Sequence, residues 1–248
     1  DPYDNSSYGN DGALVGDVVI NSSSGRFGDG AWFNTSNYIK IQDDSSLRVA
    51  EGNFTVSFWV NKESGQVSYG DLLGTESLIT SQKGWRIRGT GAFYVNNGSD
   101  DLVVGNSFSD NTWNHYVAVH NFNENISTYL NGNFVANISL LGFGEFEKDY
   151  GLGIGFTDST GRIFNGSIDE VMIFNRSLDA NEIEALYNAT ASKLFKNFTS
   201  LADGSHTFTA HAVDVAGNVN SSGERTVSTG VAPGINFTDP TPANGTSS

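Results

Sequence analysis

The sequence contains no cysteine, and this absence excludes disulfide scaffolds, thiolate zinc sites and cysteine nucleophiles together. Basic residues are also scarce. The sequence has 13 Lys and Arg but 28 Asp and Glu, which gives a formal net charge of −15. A nucleic-acid binder needs a basic face that displaces counterions from phosphates. The composition therefore argues against a nucleic-acid partner.

Long hydrophobic runs are absent as well. No apolar stretch approaches the roughly 20 residues that a membrane-spanning helix needs, and no charged-then-apolar leader opens the sequence. We therefore expect no membrane insertion by this segment. Aromatic side chains, in contrast, are plentiful, with 17 Phe, 9 Tyr and 4 Trp, and hydrophobic residues make up 38% of the sequence. This apolar content is enough for a globular protein with a buried core.

Asparagine is unusually frequent, and half of it occurs in glycosylation sequons. Of 27 Asn, 14 begin an Asn-x-Ser/Thr sequon, whereas random placement of the 47 Ser and Thr would give 27 × 47/248, about 5. N-glycans are attached to exported chains, so the excess predicts a glycoprotein located outside the cell, at the cell surface. The candidate glycosylation sites are Asn5, Asn21, Asn34, Asn53, Asn97, Asn125, Asn137, Asn165, Asn175, Asn188, Asn197, Asn220, Asn236 and Asn244.

Short alternating segments between Gly, Asn, Asp and Ser indicate an all-β fold from residue 13 to about residue 175. Residues 54–60 place Phe and Val on one face of a strand and mostly polar residues on the other. Residues 113–119 read as another strand. The Asn131-Gly132 pair joins two further strands, and it predicts a tight hairpin because both positions accept positive φ.

One helix interrupts this pattern after residue 178. Asp179 and Glu182 have the spacing of a capping box, in which each side chain accepts a hydrogen bond from the other residue's backbone N–H. Ile183, Leu186 and Tyr187 follow at i, i+3 and i+4 and form an apolar stripe. The sequence therefore predicts a helix that packs against a sheet.

Together these motifs resemble the laminin-G-like, concanavalin A-like lectin/glucanase jelly roll. The motifs that carry the resemblance lie at residues 4–12, 25–33, 54–60, 113–117, 129–132 and 164–178. The resemblance implies a sandwich of two antiparallel sheets over residues 1–190. The predicted fold class is thus all-β, with a two-sheet antiparallel jelly-roll sandwich followed by a partial immunoglobulin-like β-sandwich.

The C-terminal part of the sequence is too short for a second complete sandwich. Residues 191–232 resemble the last strands of an immunoglobulin-like domain, which needs about 100 residues. Residues 233–248 read as the start of a further β domain, a linker or a donor strand. Family members also open with an apolar strand before the segment that begins here at Asp4. We therefore expect an open sheet edge that strands from neighbouring copies or adjacent domains of the same protein complete.

A structural calcium site is a further hypothesis. Calcium prefers several oxygen ligands from carboxylates, amides and carbonyls, and the resemblance implies that the opening segment lies beside the strand that carries Asp169. Asp4, Asp11 and Asp169 could then converge, helped by carbonyls near Gly12 or Gly30. The alternative is that Asp4 and Asp11 cap turns and that Asp169 faces solvent.

Nothing in the sequence predicts catalysis. Retaining glycosidases need two carboxylates about 5–5.5 Å apart, and enzymes on this fold place them in a Glu-x-Asp-x-Glu or Glu-x-Asp-x-x-Glu pattern, which does not occur here. The sequence also contains no Gly-x-Ser-x-Gly elbow. We therefore predict no catalytic residues and no enzymatic activity.

Carbohydrate binding is supported by the family resemblance. Lectin sites use aromatic rings that stack on sugars, together with polar groups that bind hydroxyls. The candidate residues are Trp85, Arg86, Arg88 and Tyr69. The alternative is that Trp85 packs inside the sandwich and that the two arginines balance an acidic surface.

The sequence leads to two functional hypotheses. The first is a non-enzymatic structural or adhesive module of an extracellular, glycosylated surface protein or filament, with neighbouring copies as partners. The second is a carbohydrate-binding, lectin-like module with glycans as partners. The expected non-protein groups are N-linked glycans and a structural calcium ion.

Overall fold

The chain forms two compact units, residues 1–193 and 194–248. The computed structural model describes residues 2–34, 37–65, 70–75, 83–105, 107–144, 146, 151–155, 164–191, 201–213, 219–229 and 235–238. Within this described part, no helix has the length and apolarity needed to cross a membrane.

The first unit contains fourteen described strands and one α-helix. The strands are β1 (Gly12–Val15), β2 (Val19–Asn21), β3 (Gly30–Phe33), β4 (Tyr38–Ile41), β5 (Phe54–Lys62), β6 (Asp71–Thr75), β7 (Lys83–Arg88), β8 (Ala92–Asn97), β9 (Asp101–Gly105), β10 (Trp113–Asn121), β11 (Asn125–Leu130), β12 (Asn133–Ser139), β13 (Leu152–Ile154) and β14 (Gly166–Phe174). The helix is α1 (Ala180–Ala191).

Two seven-stranded sheets are built from these strands. Sheet A has the order β1-β4-β13-β6-β7-β8-β9, and sheet B has the order β12-β11-β10-β5-β14-β3-β2. The strand neighbours in both sheets pair antiparallel. The predicted all-β, two-sheet antiparallel jelly-roll sandwich is therefore confirmed.

The core lies between the two sheets and is formed by alternate residues of their strands. In β5, Phe54, Val56, Phe58 and Val60 are completely buried, as the alternation in the sequence predicts. Sheet A contributes the apolar residues of β7 and β8 to the same cluster. In each sheet, the face turned away from this shared core is called the outer face below.

The hairpin predicted at Asn131-Gly132 joins β11 and β12. The φ angles of these residues are +51° and +79°, which are the left-handed values that a two-residue hairpin turn requires. A Cβ added at Gly132 would lie 3.0 Å from the Tyr187 ring. The turn therefore packs closely against helix α1.

Helix α1 covers the middle of the outer face of sheet B. Asp179 and Glu182 form the predicted capping box, in which each carboxylate accepts a 2.9 Å hydrogen bond from the other's backbone N–H. Ile183 is fully buried and packs with Val117 and Val119 of β10. The apolar stripe predicted from the sequence thus packs against a sheet, as expected.

The second unit contains five described strands in two small sheets. Strands β15 (Gly204–Phe208), β18 (Arg225–Thr229) and β19 (Ile235–Thr238) form one sheet in the order β15-β18-β19, and β16 (His211–Val213) pairs with β17 (Val219–Ser221). Strand β19 lies in the segment predicted as a donor, and here it pairs with β18 of the same chain. The assignment of this unit to an immunoglobulin-like domain stays a prediction.

Candidate functional site

Five strands of sheet A each place one residue in a row across the sheet. The row runs Lys40, Gly153, Gly74, Arg86 and Tyr94, and each residue is the register partner of the next. Residues directly opposite each other on neighbouring strands point to the same face. The five positions therefore share one face of the sheet.

This row lies on the outer face because the residues that alternate with it fill the core. Trp85 and Ile87 flank Arg86 in β7, and Phe93 and Val95 flank Tyr94 in β8; all four are at most 1% exposed. The middle of the row has no side chains, since it consists of two glycines. The two glycines form a flat floor that is itself buried, as is Arg86 beside it at 7% exposure; Lys40 lies on the opposite side of the floor.

Gly74 is required by the close approach of the neighbouring strand. A Cβ at this position would lie 2.6 Å from the Trp85 carbonyl oxygen and 2.7 Å from the Arg86 Cα. Both atoms belong to the backbone of β7, which cannot move aside without disturbing the sheet. The flat floor is therefore part of how β6 and β7 pair.

Arg86 and Arg88 are held on this face by Asp71 and Tyr94. The Nε atoms of Arg86 and Arg88 lie 3.9 and 3.8 Å from Asp71 Oδ1, and the Asp71 side chain is fully buried. The guanidinium carbons lie 5.4 and 3.8 Å from the centroid of the Tyr94 ring. Both arginines are buried, at 7% and 9% exposure, so a ligand could contact their guanidinium groups only through the small part of each that is exposed.

The prediction that Trp85 stacks on a sugar is wrong. Its ring is 1% exposed and stacks on Phe93 inside the core, with 5.6 Å between the ring centroids and 6° between the planes. Strand alternation places Arg86 and Arg88 on the outer face and Trp85 on the inner one. Tyr69, the fourth predicted residue, lies outside the described residues.

Sequence reasoning missed Tyr94, Asp71 and Lys40 as members of this site. Tyr94 could have been found, because it alternates with the apolar residues Phe93 and Val95 and must therefore face outwards. The pairing of β6 with β7 shifts register between Asp71 and Leu73, and no sequence pattern indicates this shift, so the position of Asp71 opposite Arg88 could not be predicted. Lys40 joins the row only through the order of strands in the sheet.

Asp4 and Asp11, two of the predicted calcium ligands, are engaged within their own loop. The Asp4 carboxylate accepts hydrogen bonds of 2.7–2.8 Å from the Ser6 backbone N–H, the Ser6 hydroxyl and the Asn10 N–H. Asp11 Oδ1 accepts a 2.8 Å bond from the Asp4 N–H. The bonds from Ser6, above all the one from its hydroxyl, lower the pKa of Asp4. These carboxylates therefore close a turn, which is the alternative considered from the sequence.

Asp169, the third predicted ligand, anchors a different loop. Its Oδ2 accepts hydrogen bonds of 2.8 and 2.9 Å from the backbone N–H groups of Arg26 and Phe27, and its Oδ1 accepts one from Glu170 N–H. Burial raises the pKa of Asp169 even though these bonds oppose the shift. The carboxylate thus ties the 25–30 loop to β14.

The predicted convergence of Asp4, Asp11 and Asp169 on one metal ion is not found. Over the described ranges, no three His, Asp or Glu side chains lie close enough together to hold a metal. The physical reason is that backbone N–H donors of two separate loops already occupy these carboxylates. Calcium binding through other oxygens stays a prediction.

Two histidines are buried but lack the access that catalysis needs. His115 Nε2 lies 2.9 Å from the Ser57 hydroxyl, and its ring packs between Trp59 and Tyr187 beneath helix α1. Burial lowers the pKa of His115, and likewise that of His120, to about 4. Both His115 and Ser57 are at most 1% exposed, so this pair has a packing role.

The sequence matches a model of the family described as the concanavalin A-like lectin/glucanases superfamily, over residues 33–184. No curated protein matches the sequence significantly. The matched residues contain most of both large sheets and the start of α1.

Several solved structures have a similar fold. The binding domain of botulinum neurotoxin DC in complex with SialylT has a TM-score of 0.61 at 17% identity, with 76% of this chain and 48% of that chain covered. The same domain in complex with rat synaptotagmin II has a TM-score of 0.62 at 16% identity, with 82% and 50% covered.

A third structure comes from botulinum neurotoxin type C, and its description says that cell entry of this toxin is dependent upon interaction with two ganglioside molecules. It has a TM-score of 0.62 at 16% identity, with 82% of this chain and 50% of that chain covered. The chain therefore spans about half the length of the structures it resembles. At identities this low, the likeness shows the fold.

Proposed function

Because this chain belongs to the concanavalin A-like lectin/glucanase superfamily, we propose that it is a non-catalytic module that binds glycans on the outer face of sheet A. The row from Lys40 to Tyr94 carries the proposal. Together with Arg88, which lies beside it over the Tyr94 ring, the row combines an aromatic ring, two fixed arginine forks that are at most 9% exposed and a floor of two glycines. Sugar sites are built from the same parts, a ring for stacking and a few polar groups for hydroxyls.

The similar structures support a glycan ligand. One of them is in complex with SialylT, and another is described by its interaction with gangliosides. Arg86 and Arg88 suit a carboxylate-bearing sugar because a guanidinium can donate two parallel hydrogen bonds to one carboxylate. We therefore place acidic glycans first among the ligands to be tested.

The proposed setting is extracellular, at the cell surface. The excess of sequons, 14 of 27 Asn, supports export, since N-glycans are added to exported chains. A surface location also brings the proposed site within reach of glycans on other molecules or cells.

A glycan array tests the proposal. The folded protein is expected to bind a subset of glycans saturably, with sialylated glycans preferred over their neutral counterparts. Tyr94→Ala is expected to weaken binding about 3- to 10-fold, which corresponds to the loss of one aromatic contact.

Phe134→Ala is the matched control. Phe134 is also an aromatic residue on a strand, is 57% exposed and belongs to sheet B, so its removal should leave glycan binding unchanged. The proposal fails if the folded protein binds no glycan, or if Phe134→Ala abolishes binding while Tyr94→Ala does not.

One observation favours the structural or adhesive role as a second candidate. Among the described residues, β14 pairs on both sides only at Gly166–Ile168, whereas Met172–Phe174 pair with β5 alone. Ile173 within this segment, and Val171 directly before it, are only half-buried although they pack against the core. An unpaired strand edge is a template for a further strand.

Light scattering and electron microscopy distinguish this second role from simple glycan binding. A filament-forming module would assemble into regular fibres of one repeating chain as its concentration rises. A protein that stays monomeric at high concentration would rule the second candidate out and would leave the glycan-binding proposal intact.

A further inference from the structure

Exposed sequons lie on both edge strands of sheet B. Asn21 ends β2 and Asn137 lies in β12, the two outermost strands of that sheet, and both side chains are exposed. Asn175, directly after β14, and Asn188, on helix α1, are exposed as well. Because α1 packs on the outer face of sheet B, these four sites share one side of the sandwich.

Sheet A shows the opposite pattern. Across its seven strands, the single sequon is Asn97 at the end of β8. Its amide nitrogen donates to the Phe143 carbonyl, while its oxygen accepts from the N–H groups of Ser99 and Asp100. Asn97 is therefore a structural residue whose nitrogen already serves the fold.

We propose that N-glycans occupy Asn21, Asn137, Asn175 and Asn188, that Asn97 stays unmodified, and that the strands of sheet A therefore present an outer face without carbohydrate of their own. The modification joins the side-chain amide nitrogen to C1 of an oligosaccharide carried on a lipid pyrophosphate. The C1–O bond to the lipid pyrophosphate breaks, and the amide gives up one proton to a base of the transferase. The remaining N–H and the carbonyl oxygen are retained, so Asn21 can still accept its hydrogen bond from Ser24 N–H.

The two sheets differ in whether their edge strands carry sequons. A bulky glycan on β2 or β12 keeps another strand from pairing with that edge. Strands β1 and β9, the edges of sheet A, contain no sequon. This arrangement places glycans at both edges of sheet B and none on the edge strands of sheet A, which is compatible with a ligand on sheet A. The site occupancy itself does not depend on the proposed function.

Occupancy mapping tests the proposal directly. The full chain is secreted from a host that N-glycosylates, its glycans are removed by an amidase in ¹⁸O water, and the labelled peptides are identified by mass spectrometry. Asn21, Asn137, Asn175 and Asn188 are expected to be labelled, and Asn97 is not. Glycan on Asn97 of the folded protein, or bare asparagine at both Asn21 and Asn137, would overturn the proposal.

A glycan introduced on sheet A tests the consequence for binding. The double substitution Asp101→Asn, Val103→Thr creates a sequon on β9, where both residues are exposed and lie on the same face as Tyr94. Asp101→Asn alone creates no sequon and is the matched control. The double variant is expected to lose at least tenfold in glycan-array binding, whereas the single variant and the Asn21→Gln, Asn137→Gln variant retain it.

The outcomes separate this proposal from the proposed function. A wild-type protein that binds no glycan refutes the lectin role. The map of occupied sequons still tests the proposed glycosylation pattern, because that pattern does not depend on glycan binding. Full binding by the occupied double variant would show that the carbohydrate-free face is not the binding face, and would overturn that part of the inference.

Discussion

The guanidinium group of Arg88 lies over the ring of Tyr94, with 3.8 Å between its central carbon and the ring centroid. The two residues are on neighbouring strands, and the same guanidinium lies 3.8 Å from the buried Asp71 carboxylate. Ring and carboxylate together fix the arginine, so its orientation is set before any ligand arrives.

We expect Arg88→Lys to destabilise the protein although it keeps the charge. An ammonium group cannot stack flat on Tyr94 and offers no planar fork to Asp71, and a cation–π contact of this kind contributes about 1 kcal/mol. Urea unfolding should therefore show a loss of about 1 kcal/mol, whereas Tyr94→Phe, which keeps the ring, should unfold like the wild type. Equal stability of Arg88→Lys and the wild type would contradict this account.

Trp85→Ala should destabilise the fold strongly and should not act specifically on sugar binding. Removing a large buried aromatic side chain typically costs about 3–5 kcal/mol, and Trp85 packs against Phe54 and Phe93. Trp85→Phe keeps part of this packing, so it should stay folded and retain full glycan binding. A folded Trp85→Phe protein with selectively lost binding would restore the original assignment of Trp85 as a sugar contact.

Thr55 joins sheet B to the segment that leads into helix α1. Its buried hydroxyl donates to the Arg176 carbonyl at 2.9 Å and accepts from the Leu178 N–H at 3.0 Å. Thr55→Val keeps the shape but leaves both backbone groups without this partner, which costs about 1–3 kcal/mol for a buried group. Thermal unfolding should show the loss in Thr55→Val and much less of it in Thr55→Ser; equal melting temperatures for Thr55→Val and the wild type would refute this role.

Acid should destabilise the protein through His115 and His120. Both pKa values are about 4 in the folded protein and near 6.5 in an unfolded chain, so the unfolded chain takes up protons first as the pH falls. Stability that is present above about pH 6.5 is lost progressively towards pH 4, by about 2 kcal/mol per histidine between pH 7 and pH 4.5.

The measurement for this prediction is urea unfolding at pH 7 and pH 4.5. His115→Gln cannot titrate, so its loss between the two pH values should be smaller than that of the wild type by about 2 kcal/mol. The comparison cancels the contribution of the carboxylates, which are the same in both proteins. An identical loss in both would mean that His115 is not the group responsible.

Features that depend on neighbours in the sequence could be predicted, and the structure confirms them. The alternation of residues 54–60 gave the core face of β5, Asn131-Gly132 gave the hairpin, and Asp179 with Glu182 gave the start of α1. Each of these depends on local backbone geometry or on the period of a strand or helix.

Features that depend on the partner strand could not be predicted. Strand alternation separates the outer Arg86 and Arg88 from the core Trp85, but only the pairing of β7 with β6 and β8 brings Asp71 and Tyr94 beside the arginines. The calcium hypothesis failed in its geometry for a related reason: the backbone N–H groups that occupy Asp4 and Asp169 become apparent only once the loops are folded.

The position of β14 between β5 and β3 imposes an order on the synthesis of this protein. A chain emerging from a ribosome presents β3 and β5 long before residue 166 exists, and these two strands must not pair with each other in the meantime. Sheet B therefore acquires this interior strand late, because its pairing with β3 and β5 can form only after residue 174 has been made, and pairing between strands so distant in sequence slows folding.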